Sequence, residues 1–169
     1  MVKIKTILIA LLVLLMVVVG ILATVFFFPS EEKKVKKQFA LLSEWVSKDP
    51  GESTLTMAHK IKSIGTLFSE SCDLIAPVHS LSGTYTREEI SSLALQSRAQ
   101  FVDLSLKFYD LNISFPEKGV AKVNLTGKLK GKSILGEYVD ETRELDCLLK
   151  KIEKKWRFSQ FEVIEVLKK

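Results

Sequence analysis

Histidine and cysteine are scarce in this chain: two of each in 169 residues, at His59, His79, Cys72 and Cys147. No Cys-x-x-Cys and no His-x-x-x-His occurs, so a structural zinc site of the usual spacing is not supported. No glycine-rich phosphate loop and no nucleophile-elbow motif is present. The sequence therefore leads us to expect neither metal nor cofactor. Positive charge is also modest. Lys and Arg number 25 against 20 acids, and Lys3 and Lys5 stand ahead of everything else, leaving an excess of three. The lysines are dispersed (33–37, 128–132, 150–155, 168–169), which is not a nucleic-acid footprint.

Charge, amide and proline are missing altogether from one stretch, "TILIALLVLLMVVVGILATVFFF", Thr6 to Phe28. A membrane-spanning helix needs roughly 20 apolar residues, and this run meets that length. A secretory signal has an apolar core of only about 7–15 residues before a small-x-small site. The best site here, Ile21-Leu22-Ala23, has Ile where a small residue is preferred. The reading is an uncleaved anchor over residues 6–28, with a cleaved signal as the alternative. The count of flanking lysines runs against a cytoplasmic head, because Lys3 and Lys5 precede the run and Lys33, Lys34, Lys36 and Lys37 follow it. A very short basic head before a long apolar run has the form of a signal anchor. The expected topology is a single-pass membrane protein with a cytoplasmic head and a C-terminal body outside the cytoplasm, periplasmic at the inner membrane if the source is bacterial. Residues 1–29 are read as head and anchor, and residues 30–169 as one domain.

After Pro29, Ser30 is placed to cap a helix, with Glu31 and Glu32 in the first turn, where the dipole favours acids. Val35, Phe39, Leu42, Trp45 and Val46 recur at helical spacing. "KDPGEST" supplies a turn, and a second helix follows, capped by Ser53 or Thr54 and carrying Ala58, Ile61, Ile64, Leu67 and Phe68. Gly65 weakens its end. "SCDLIAPVHSLSGTY" reads as a short strand or hairpin, made an edge or irregular element by Pro77. Thr86 with Glu89 forms a capping box for a third helix, whose stripe is Ile90, Leu93, Ala94 and Phe101 or Val102.

Strands account for the rest. Leu104, Leu106 and Phe108 occupy even positions, whereas Tyr109, Leu111, Ile113 and Phe115 occupy odd ones. That phase change reads first as a helix ending and a strand beginning, with a bulge near Tyr109–Asp110, a device that re-aims side chains, as the alternative. Ala121, Val123, Leu125 and Leu129 alternate with Lys122, Asn124, Thr126 and Lys128, the pattern of a sheet with one wet face. Leu145, Cys147 and Leu149 share a face, and "KKWRFSQFEVIEV" is a last strand beyond the turn Glu153-Lys154-Lys155. An exported domain permits a Cys72–Cys147 disulfide. Both cysteines also sit among apolar neighbours, as buried free thiols do. Helices first and strands after argue an α+β fold: three helices packed on a strongly bent antiparallel sheet.

That order of elements resembles the nuclear transport factor 2-like superfamily, also called SnoaL-like or cystatin-like. The resemblance covers roughly Ser30 to Lys169. It is carried by the capped helix at Thr86 and by two hairpins, "FYDLNISFPEKGVAKVNLTG" and "LLKKIEKKWRFSQFEVIEV". It implies a cone-shaped domain with a pocket between helices and sheet. The superfamily hosts enzymes, ligand binders and scaffolds, so it leaves function open. Its enzymes place Asp, His or Tyr in the pocket as acid or base, where an apolar setting moves the pKa toward neutrality.

The candidates here are Asp73, His79, Tyr85, Asp103, Tyr109 and Asp110, of which Asp73, Tyr109 and Asp110 are the pocket candidates. Asp73 lies in the region where isomerase-like members carry their base, although no local motif matches. The first helix offers Phe39 and Trp45 and no Tyr for a partner role. His59 falls on a polar helix side and Tyr85 reads as packing. The expected function is a membrane-tethered, non-enzymatic interaction or scaffold module of an envelope-associated complex, with a protein partner or a homodimer and no nucleic acid. The alternative is binding of a small apolar ligand, or isomerase or cyclase activity, in the pocket.

Overall fold

A computed structural model of the chain describes residue 16 and residues 30–77 and 81–164. Apart from Met16, the apolar run and the head before it lie outside the described residues, as do His79 and the end of the chain after Ile164. Among the described residues no helix is long and apolar enough to cross a membrane. Residues 1–34 and 35–169 form separate compact units.

The described stretches 30–77 and 81–164 hold three helices and six strands. They are α1 (Glu31–Val46), α2 (Thr54–Thr66), β1 (Phe68–Ala76), β2 (Leu81–Thr86), α3 (Arg87–Ala99), β3 (Phe101–Glu117), β4 (Val120–Ser133), β5 (Tyr138–Ile152) and β6 (Lys155–Ile164). Local chemistry sets the helix starts. The Ser30 hydroxyl accepts from the Lys33 amide, and Ser53 accepts from Thr56 at the head of α2. Thr86 and Glu89 close a full capping box on α3, an arrangement in which the cap alone typically contributes about 1 kcal/mol.

The strands form one curled sheet in the order β2-β1-β6-β5-β4-β3. The last strand thus lies inside the sheet, between β1 and β5, which explains an apolar run so close to the end of the chain. One expectation is corrected: the sheet is not wholly antiparallel, because β1 runs parallel to β6. The segment around Pro77 is a hairpin, with β2 at the sheet edge and a register shift in β1 between Phe68 and Asp73; Pro77 falls just beyond β1, where a missing amide costs no ladder bond.

The inner sheet face and the helices enclose one core. Phe39 and Phe158 meet edge to face at 5.0 Å, and Phe39 meets Phe108 likewise at 5.4 Å. Val123, Leu149, Cys72 and Cys147 fill the space beside them. Both cysteines are free. Burial pushes the Cys72 thiol up to about 12, with the Asp73 charge adding, and pushes Cys147 well above its ordinary value. Gly65 does more than weaken a helix end. A Cβ there would stand 2.4 Å from the Ser91 hydroxyl and 3.1 Å from the Arg87 carbonyl, so glycine is what lets α2 and α3 touch.

At the other end of the helices a buried ionic cluster ties α1, α2 and α3 together. Arg98, 1% exposed, donates to the Val46 and Ser47 carbonyls at the end of α1 and to both Glu52 oxygens. Lys60 bridges to Glu52 at 2.8 Å. Carbonyls left without partners at a helix end are thereby satisfied. The neighbouring Lys48 pairs by backbone with Leu104, and the Ser47 hydroxyl accepts from the Leu106 amide. The segment after α1 therefore covers the first half of edge strand β3, protecting an otherwise open ladder.

Candidate functional site

The second half of β3 is not covered in that way, and there a bulge is found, in place of the helix end and strand start that the phase change first suggested. Pairing with β4 is regular from Asp103↔Lys132 through Tyr109↔Thr126 and resumes at Asn112↔Asn124, leaving Asp110 and Leu111 against a single residue, Leu125. Asp110 takes φ 54°, the left-handed region, which Asp tolerates better than most residues. The bulge reconciles the two alternation phases. Phe108 before it and Leu111 and Ile113 after it all pack against the core.

Two cavities flank the bulge. The first, about 350 Å³, lies between α1 and β3. Phe39, Ala40, Phe108 and Leu111 line it with apolar surface, and Lys36, Lys107 and Tyr109 supply its polar groups. The Ser43 hydroxyl, also at its wall, donates to the Leu106 carbonyl. Among the described residues, no carboxylate lines it. The second, about 260 Å³, is on the outer sheet face and contains Asp110, Asn112, Asn124, Thr126, Glu144 and Asp146. Its place on the outer face follows from register: Asn124 pairs with Asp146, whereas the neighbouring pair Val123 and Cys147 is buried. The Asn124 amide donates to the Asp146 carboxylate.

The three pocket candidates do not converge. Asp73 is exposed on β1, and its carboxylate accepts from the Thr84 hydroxyl at 2.6 Å across the β1–β2 ladder. Tyr109, 44% exposed, lines the α1–β3 groove. Asp110 lines the outer cavity instead, because the bulge turns adjacent residues to different sides. Tyr85 packs on the core and His59 is exposed. Among the described residues no His, Cys, Asp or Glu cluster is grouped to hold a metal. The buried charged group that sequence reasoning missed is Arg98. Its one signal was position, since it follows Ile90 and Ala94 at helical spacing on the inward side of α3.

The sequence matches no protein-family model and no curated protein. Solved structures do match. A protein described as an aromatic ring hydroxylase from Novosphingobium aromaticivorans superposes with a TM-score of 0.69 at 11% identity, over 83% of this chain and 93% of its own. Hexachlorocyclohexane dehydrochlorinase (LinA) type 2 gives 0.65 at 10% identity, over 80% and 84%. Aln2 from a Streptomyces species gives 0.62 at 13% identity, over 82% and 94%. These neighbours have the nuclear transport factor 2-like, SnoaL-like fold, and at such identities the likeness concerns the fold alone.

Proposed function

We propose that this chain is a membrane-tethered, non-enzymatic interaction module. One observation carries the reading: inward of the α1–β3 groove, the space between helices and sheet is filled by the domain's own side chains. Phe39, Phe158, Leu149 and Val123 are each at most 1% exposed, and Asp73, Tyr109 and Asp110 stand outside that core. Acid–base catalysis wants a titratable group held in a dry, shaped site, and a packed interior favours docking instead. The tether rests on the apolar run at residues 6–28. The test is to extract the full chain from its native membrane in mild detergent. We expect it in an assembly larger than its own 19.1 kDa, unchanged by the combined variant Asp73→Ala, Tyr109→Phe, Asp110→Asn. A lone chain whose turnover of a small substrate is abolished by that variant would refute the reading.

A second reading is favoured by the α1–β3 groove: a small, partly apolar ligand seated on Phe39, Ala40 and Leu111, with an acidic group toward Lys36 and Lys107. The dehydrochlorinase neighbour acts on a small apolar molecule on the same fold. Saturable binding of such acids, weakened by Ala40→Trp, would support it.

A further inference from the structure

The two halves of edge strand β3 differ in what their outer backbone meets. In the first half it is taken up. Leu104 exchanges both hydrogen bonds with Lys48. The Leu106 amide donates to the Ser47 hydroxyl, and its carbonyl accepts from Ser43. These even positions turn amide and carbonyl away from β4. The bulge at Asp110 and Leu111 then moves the phase of β3 by one residue, while the alternation of β4 runs on unbroken. Ile113 opposite Val123 therefore stands as Leu104 does opposite Gly131, with amide and carbonyl outward. By the same alternation Leu111 and Phe115 face outward with it. Among the described residues no hydrogen bond takes the outward groups of Ile113. The stripe of α1 that offers Ser47 and Ser43 continues as Ala40 and Lys36, and Ala40 has no hydroxyl to give.

Open edges are ordinarily guarded by lysine, proline or a covering segment. Leu111-Asn112-Ile113-Ser114-Phe115 carries no charge and no proline. The bulge bounds it on one side and Pro116 on the other, so pairing there cannot run on along the strand. The pattern reads alike in both directions about Ile113. Leu111 and Ile113 pack on the core, and Phe115 lies on the same side against Trp156 at 5.8 Å, yet remains 43% exposed. Asn112 and Ser114 are exposed on the other side. Charge is reversed across the stretch, with Lys107 before it and Glu117 after it.

We propose that β3 pairs antiparallel with β3 of a second copy across a two-fold axis at Ile113, joining two sheets edge to edge. In that register the outward amides and carbonyls of Leu111, Ile113 and Phe115 meet their own counterparts. Leu111 lies opposite Phe115 of the second copy on the inner side, at the wall of the α1–β3 groove, and Asn112 lies opposite Ser114 on the outer side. Glu117 of each copy comes to the Lys107 end of the other, so charge is matched twice. The backbone selects a polypeptide, since neither a bilayer nor a small ligand supplies a ladder of amides and carbonyls. The sequence selects this polypeptide. A foreign strand needs neither a pattern symmetric about Ile113 nor opposite charge at the two ends, whereas a two-fold contact uses both. The inference gives the interaction module proposed above one partner, and it does not depend on the tether.

The test uses the full chain in mild detergent and thiols that report the register. Cys72 and Cys147 are buried and stay silent. The proposed pairing sets exposed Asn112 and Ser114 of the two copies about 4.5 Å apart between Cα atoms, within disulfide reach. Asn112→Cys and Ser114→Cys are made as separate, differently tagged chains, mixed and oxidised. The mixture is expected to give at least ten times more linked dimer than either variant alone. Phe115→Lys, which sets a charge against Leu111 of the second copy, should weaken dimerisation at least tenfold by sedimentation equilibrium. If that variant unfolds, the thiol pair decides. A monomer at every concentration, or no gain in the mixture, overturns the proposal. So does a dimer that links instead through Lys122→Cys on the outer sheet face, and so does a link from Asn112→Cys to a different protein. A larger native assembly that survives loss of the β3 contact leaves the interaction-module reading standing, so the two fail separately.

Discussion

The Arg98 guanidinium holds both oxygens of Glu52, at 3.0 and 2.7 Å, in a site where Arg98 is 1% exposed and the Glu52 side chain 4%. The pair joins the end of α3 to the α1–α2 connection, and Arg98 also satisfies carbonyls at the end of α1. Removing one partner of a buried ion pair typically costs about 3–5 kcal/mol, because the other charge is left uncompensated. Arg98→Ala should fall in that range by urea denaturation, whereas Arg87→Ala, which gives up a hydrogen bond to the Phe68 carbonyl, should cost about 1–2 kcal/mol.

The same pair sets an acid response. Burial pushes the Glu52 carboxyl upward, but the Lys60 hydrogen bond and the charges of Arg98 and Lys60 outweigh it and hold it below its ordinary value. A carboxyl depressed in the folded state stabilises fully above the ordinary carboxylate range and loses that contribution as pH falls through the folded value. Stability measured from pH 7 down to pH 3 should therefore drop on the acid side. Glu52→Gln should start lower at pH 7 and fall by less.

Backbone strain at the bulge gives a third test. Asp110 sits at φ 54° with no pairing partner on β4. A left-handed conformation costs an ordinary L-residue about 1–2 kcal/mol and glycine almost nothing. Asp110→Gly should be neutral or slightly stabilising. Asp110→Val should lower the melting temperature, since a β-branched residue tolerates this region worst.

The β5–β6 turn is a two-residue hairpin in which Glu153 and Lys154 have φ 49° and 65°. That geometry prefers Asn-Gly. Glu153→Asn with Lys154→Gly should stabilise the domain by about 0.5–2 kcal/mol, read as a higher denaturation midpoint.

These features were not equally legible in the chain. The caps at Ser30, Ser53 and Thr86 are local, so a few residues specify them. The bulge was visible as the alternative reading, because Phe108 and Tyr109 break one alternation and begin another. Both kinds of signal survive without knowledge of the fold. The parallel pairing of β1 with β6 is different, since it joins segments separated by the whole meander and no local pattern encodes it. Arg98 was hidden for a related reason. An arginine in the last turn of a helix reads as a partner for the dipole, and its burial depends on carbonyls at Val46 and Ser47. The placement of Asp73 could not be read either. Alternation fixes that it opposes its neighbours, but only the pairing with Thr84 shows which side it takes.

The account's central claim is that the interior between helices and sheet is closed inward of the α1–β3 groove. The most direct measurement is a methyl-resolved NMR titration of the full chain in detergent micelles with small apolar acids and neutral analogues. We expect the methyl signals of Val123, Leu125 and Leu149 to stay fixed, with any perturbation confined to Ala40 and Leu111 at the groove. Saturable shifts at Val123 and Leu149 would mean that the core opens to a ligand, and would contradict the account.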